Sequence, residues 1–192
     1  MGLFVTTFVG AAHAEGSPKF AWLSLAPEVG YTFFSKGKLE DNYDAEIASR
    51  NGVVVKGHLD IGGDRLALEL APLYSWQGCG GLVGNLNAFG GEITLVYRFK
   101  SGDIYPSIGV GFHGAYLFAN ENIQRGTELF GRAPLALTWY FVKYIGLVLE
   151  GGFMVGTTGI RTKENEEYGI LHENTEFAFN LGFDLLIGLR FP

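Results

Sequence analysis

Apolar and polar residues alternate with a period of two along most of this chain, and helical periodicity is never sustained. Successive side chains of a strand point to opposite faces, so the alternation predicts half-buried strands. Eight segments carry it: residues 20–34, 51–61, 65–76, 87–99, 103–118, 128–141, 145–157 and 176–191. Most exceed the ~5 to 6 residues usual in soluble sheets and suit the ~9 to 11 residues that cross a bilayer at a tilt.

The connections add an independent signal. Long polar stretches at 35–50, 77–86, 119–127 and 158–175 alternate with short ones at 62–64, 100–102 and 142–144. An up-and-down barrel in an outer membrane has long outer loops, short periplasmic turns and both termini inside. The predicted fold is therefore all-β: an eight-stranded antiparallel up-and-down transmembrane β-barrel, with residues 15–192 as one domain.

The two faces of each segment decide which side meets lipid. In the last segment, Phe177, Phe179, Leu181, Phe183, Leu185, Ile187, Leu189 and Phe191 oppose Ala178, Asn180, Gly182, Asp184, Leu186, Gly188 and Arg190. Collected over all segments, the second face holds Glu28, Asp60, Glu69, Glu92, Glu150 and Asp184 with Lys56, Arg65, Arg98, Arg132 and Arg190. Six acids against five bases suit a closed polar interior, because buried charges must be paired and hydrogen-bonded. His58, between Lys56 and Asp60 on that face, has the chemistry of a general base or a metal ligand, but its inward placement favours membership of the lumen network, which His113 would join. A lipocalin-like soluble barrel would reverse the faces, with ligand inside and charges outside.

Aromatic residues gather near predicted strand ends. Tyr31, Phe33, Tyr74, Trp76, Phe89, Tyr116 and Phe118 lie toward the long loops, and Tyr97, Phe99, Trp139, Phe141 and Phe191 toward the short turns. They are the girdles expected where amphipathic rings meet headgroups. Against the pattern, Pro27, Pro72, Pro106 and Pro134 fall inside segments, where proline cannot donate to a ladder. Pro106 can open its strand, and bulges or shifted boundaries are expected at the others.

Composition narrows the class further. Glycine supplies 29 of 192 residues, aromatics reach 15% and charged residues fall to 18%. Disordered chains have the opposite balance, and no run approaches the ~20 apolar residues of a transmembrane helix. A net charge of −6 argues against nucleic acid as a partner. The single cysteine, Cys79, excludes an internal disulfide and Cys-rich zinc patterns. Residues 3–11 form a short apolar run ahead of Ala12-His13-Ala14, so residues 1–14 read as a secretory signal peptide without a basic start, the alternative being a short strand.

The closing segment, with Phe183, Leu185, Ile187, Leu189 and Phe191 just before the terminal Pro192, resembles that of the eight-stranded outer-membrane barrels of the OmpA/OmpX type. The resemblance covers residues 20–191 and implies a monomer in the Gram-negative outer membrane, with lipid and lipopolysaccharide around it. It also implies that those five residues act as the signal read by the barrel-assembly machinery.

No catalytic, cofactor-binding or metal-ligating set emerges from the sequence. Gly109-Val110-Gly111-Phe112-His113-Gly114 spells a dinucleotide fingerprint but sits inside a predicted strand with no helix to hold a pyrophosphate. A deacylase-like His-x-Ser follows none of His13, His58, His113 and His172. The acidic runs at 40–46 and 164–167 lack EF-hand spacing and read as solvated loop surface that divalent cations would suit. The expected function is non-enzymatic, a structural or surface-interaction role with a side-chain-filled, porin-like but closed lumen. An outer-leaflet lipid-modifying enzyme and an exported lipocalin-like carrier of a hydrophobic ligand stand as alternatives.

Overall fold

Eight long strands form where the alternation predicts them: β1 (Leu23–Phe34), β2 (Arg50–Gly62), β3 (Leu66–Cys79), β4 (Asn85–Arg98), β5 (Ile104–Ala119), β6 (Ile123–Val142), β7 (Ile145–Lys163) and β8 (Glu173–Arg190). The computed structural model describes residues 23–35, 37–38, 46–47, 49–63, 65–79, 85–99, 101–119, 123–163 and 173–191, and among these there is no helix. The expected signal peptide at 1–14 lies outside them, as do His13, His172 and both acidic runs apart from Glu46.

Every strand pairs antiparallel with its chain neighbours, and β1 also pairs with β8, so the sheet closes into a barrel. Closure matters because backbone donors and acceptors can then find their partners within the wall, which a hydrocarbon surrounding demands. The seam runs from Phe34↔Gly182 to Glu28↔Gly188. Reciprocal backbone bonds between Leu25 and Phe191, at 2.9 and 2.8 Å, extend it to the end of the chain. In the first loop a two-residue ladder pairs Gly37–Lys38 with Glu46–Ile47.

The strands at the loop end run further than the sequence pattern predicts. β6 begins at Ile123, inside the expected loop 119–127, and β7 and β8 extend to Lys163 and from Glu173, inside 158–175. The outer connections shrink to 35–49, 80–84, 120–122 and 164–172. Ladder hydrogen bonds need no apolar face, so pairing continues past the last apolar position as a polar hairpin. At the opposite end the turns stay short, and Gly102, with φ of 65°, supplies the left-handed residue that the tight return from Ser101 to Ile104 needs.

Prolines are accommodated without the expected bulges. Pro27 pairs with Gly57, Pro72 with Gly91 and Pro134 with Gly152. On their other sides the ladder skips the pairing between Lys56↔Leu73 and Leu59↔Leu70, and between Ile108↔Leu135 and Gly111↔Arg132, with register unchanged. By that register Pro72 faces Gly57 and Pro134 faces Gly109, where a Cβ on Gly109 would lie 2.9 Å from the Pro134 ring. Pro106 does not open its strand but sits third in it, paired with Leu137. The only register shifts lie between β6 and β7, at Ile123/Arg125 and Tyr140/Val142.

Burial sorts the residues as alternation requires, apolar side chains outward and charged ones inward. Outside stand Leu, Ile, Val and Phe, including Phe112, Phe153 and Phe183 at mid-height, all about half exposed or more. Exposed tyrosine and tryptophan keep to the two ends: Tyr31, Trp76 and Tyr116 toward the loops, and Tyr97, Trp139 and Tyr144 toward the turns. Phenylalanine has no polar tip and does not share this restriction.

Inward glycines let neighbouring strands approach closely. A Cβ on Gly111 would lie 2.2 Å from the Ile93 carbonyl oxygen, whereas one on Gly57 meets nothing within 4 Å. Gly111→Val is therefore expected to cost at least the ~1 to 3 kcal/mol typical of overpacking. Gly57→Ala should stay within about 0.5 kcal/mol of the parent. Urea unfolding of both variants in lipid vesicles checks the contrast.

Candidate functional site

The lumen is the only described region where chemistry-bearing side chains converge, and alternation puts them there. Three layers stack along its axis. At the end carrying the termini, Tyr105 of β5 and Tyr140 of β6 meet edge to face with ring centroids 5.6 Å apart, both buried. Above them Arg98 of β4 donates to Asp60 of β2 at 2.7 Å and to Glu69 of β3 at 3.2 Å. Arg190 of β8 contacts the same two carboxylates at 2.9 and 3.3 Å, and Ser24 donates to Asp60 at 2.7 Å.

The middle layer ties opposite walls together. Lys56 of β2 donates to Glu92 of β4 at 2.8 Å and to Asp184 of β8 at 2.6 Å. Arg132 of β6 contacts Glu92 at 3.3 Å, Glu150 of β7 at 2.5 Å and Asp184 at 3.0 Å. Gly152 makes room for this cluster, since a Cβ there would lie 2.4 Å from Asp184 Oδ1 and 2.6 Å from Arg132 Nη2. His113 contacts Glu92 at 3.0 Å and Glu128 at 3.6 Å, while His58 stands 3.6 Å from both Glu28 and Glu69.

At the loop end the guanidinium of Arg50 forms an ion pair with Glu128, donates to Thr158 Oγ1 at 2.9 Å and lies 4.8 Å above the Phe34 ring. Phe34, Phe130 and Met154 form an apolar cluster beside this pair. Ion pairs thus fill the space between an aromatic floor and an apolar ceiling, which suits a narrow barrel whose lumen is occupied by side chains.

Of the predicted lumen residues, Glu28, Lys56, His58, Asp60, Glu69, Glu92, Arg98, His113, Arg132, Glu150, Asp184 and Arg190 are all buried here. Arg65 is not. It lies in the turn between β2 and β3 with its side chain exposed, and contributes its carbonyl oxygen to the Arg98 N–H at 2.7 Å. It has the inward parity but sits past the rim, where the wall no longer encloses it. Arg50 and Glu128 join them in the lumen although the alternation puts Arg50 in the loop 35–50 and makes Glu128 the first residue of its segment. Their signal was the parity they share with Lys56 and Arg132.

Among the described residues the lumen holds seven carboxylates, Glu28, Asp60, Glu69, Glu92, Glu128, Glu150 and Asp184, against five permanent cations, Arg50, Lys56, Arg98, Arg132 and Arg190, plus two histidines. The glycine fingerprint at 109–114 lies wholly within β5 and opens no helix. Phe183, Leu185, Ile187, Leu189 and Phe191 form an exposed apolar file on the outside of the closing strand.

The same architecture occurs in solved outer-membrane barrels. Neisserial surface protein A superposes with a TM-score of 0.57 at 10% identity, covering 89% of this chain and 97% of its own. Outer membrane protein AlkL, solved in DMPC lipid bilayers, superposes with a TM-score of 0.60 at 12% identity, covering 94% of this chain and 93% of its own. The fold is that of the eight-stranded antiparallel transmembrane barrels of the outer-membrane class. No protein-family model matches the chain, and no curated protein does.

Arg50 and Glu128 form a compact pair well suited to a double-mutant cycle. Arg50→Met or Glu128→Gln alone leaves a buried charge without its partner and should cost ~3 to 5 kcal/mol. The double variant should recover most of that loss, while Arg65→Ala stays within about 0.5 kcal/mol. Urea midpoints of the parent and the four variants decide the matter.

Proposed function

We propose that this protein is a non-enzymatic barrel of the Gram-negative outer membrane, with both termini periplasmic, that strengthens the envelope and displays its outer loops to surface partners. The observation that carries this reading is the opposed sorting of side chains: a lipid-compatible belt outside, and inside a lumen crossed by ion pairs between an aromatic floor and an apolar ceiling. A soluble ligand carrier needs the reverse arrangement, and charges packed across the lumen leave no apolar cavity for a cargo. Tyrosine and tryptophan at the two rims support a position spanning the bilayer.

The working partners follow from the same surfaces. Lipid and lipopolysaccharide meet the apolar belt, and the barrel-assembly machinery reads the outer face of β8 ending at Phe191. The closed wall presents no strand edge for a second copy, so the chain works as a monomer. A lumen crossed by Lys56 and Arg132 conducts little, since ions must displace bonded side chains to pass.

Membrane fractionation and planar-bilayer recording test this reading together. The account expects the chain in the outer-membrane fraction, heat-modifiable on a gel, with no porin-like conductance. Recovery as a soluble protein without detergent, or steady porin-like conductance, contradicts it.

A further inference from the structure

We propose that the lumen binds one divalent transition-metal ion of the zinc type, held by Glu28 of β1, His58 of β2 and Glu150 of β7. One ligand atom from each residue lies within 4.8 Å of the other two, and all three residues are buried. His58 Nε2 stands 3.6 Å from Glu28 Oε2. That separation is close to the roughly 3.3 Å edge of a tetrahedral site with metal–ligand bonds of about 2.0 Å.

The decisive observation is how little else these groups do. Neither oxygen of Glu28 makes a hydrogen bond, and the ring nitrogens of His58 reach only carboxylates, Glu28 and Glu69, each at 3.6 Å, although both residues are only 2% exposed. Polar groups so deeply enclosed require a partner. The other lumen histidine provides the contrast. His113 also bridges two carboxylates, but Glu92 already accepts from Lys56 and Glu128 is paired with Arg50. At His58 the carboxylate on the Nε2 side, Glu28, has His58 as its only ion-pair contact among the described residues.

Charge points the same way. Among the described residues seven carboxylates face five permanent cations and two histidines in the lumen, so with both histidines neutral a dication would supply the two missing charges. The surroundings are arranged as those of a metal ligand usually are. Glu69 faces His58 Nδ1 at 3.6 Å and is itself held by Arg98 and Arg190. Arg132 holds one oxygen of Glu150 at 2.5 Å. One imidazole nitrogen with two carboxylates suits zinc or a neighbouring first-row ion, whereas calcium takes oxygen ligands and copper(I) thiolates or thioethers.

Tyr105 and Tyr140 close the lumen below the site and the Phe34, Phe130 and Met154 cluster lies above it, so the ion enters as the barrel closes. The inference rests on lumen geometry and is independent of the cellular placement proposed above. The test refolds the full chain from urea into detergent with zinc sulfate, passes it over a chelating resin and measures zinc by mass spectrometry. About one zinc per folded chain is expected, retained through the resin and in His113→Gln, and lost in Glu28→Gln and His58→Gln. Folded parent protein holding less than about a tenth of an equivalent, or Glu28→Gln holding as much as the parent, overturns the proposal and leaves protons on His58 and its neighbours to balance the charge. Should the two site variants fail to show the heat-modifiable band, pulsed EPR on a variant with His13, His113 and His172 all replaced by Gln and refolded with cobalt(II) decides: imidazole nitrogen coupling, which only His58 can then supply, supports the site, and its absence overturns it.

Discussion

A charge enclosed by a closed strand wall can reach no water through the side, so each must find its partner across the lumen. That constraint organises this protein. Arg132 draws together carboxylates from three strands, and Lys56 reaches from β2 to β4 and to β8. Breaking one contact would strand a charge rather than merely lose a bond, and the penalty for an unpaired buried ion runs to several kcal/mol. Side-chain bonds therefore add to the backbone ladders in fixing which walls face one another.

The outer surface follows from the same division. With polar groups gathered inside, outward positions are free to be apolar along whole strands, as in the file from Phe177 to Phe191. Glycine serves both sides of the wall. Gly152 leaves space for the Arg132–Asp184 contact, and Gly109 leaves space for the Pro134 ring. The seam between β1 and β8 then closes the wall over Gly182–Gly188, where an open sheet would leave a free edge.

Much of this was legible in the sequence because a strand has a period of two and a barrel has only two faces. Parity alone placed Glu28, Glu69 and Asp184 inside and Phe183 and Leu185 outside. Errors arose at strand ends, where parity no longer implies enclosure: Arg65 has the right parity and lies beyond the rim, whereas Arg50 opens β2 one residue before the expected start and Glu128 lies well inside β6, which begins at Ile123. Prolines misled for a different reason, since a single strand does not reveal that a glycine stands opposite on its neighbour. The specific ion pairs were out of reach altogether. Glu92 and Lys56 are 36 residues apart and Lys56 and Asp184 are 128 apart, and only the closed register brings them together.

Solid-state NMR in lipid bilayers measures the central contact directly. Protein labelled at arginine guanidinium nitrogens and at aspartate and glutamate carboxyl carbons reports nitrogen–carbon dipolar couplings, with Arg132→Lys used to assign the Arg132 signals. The account predicts strong couplings from Arg132 to carboxylates, consistent with its 3.0 Å contact to Asp184, and little exchange of its guanidinium protons with water. Weak couplings together with rapid water exchange at Arg132 would mean a hydrated lumen and contradict the account.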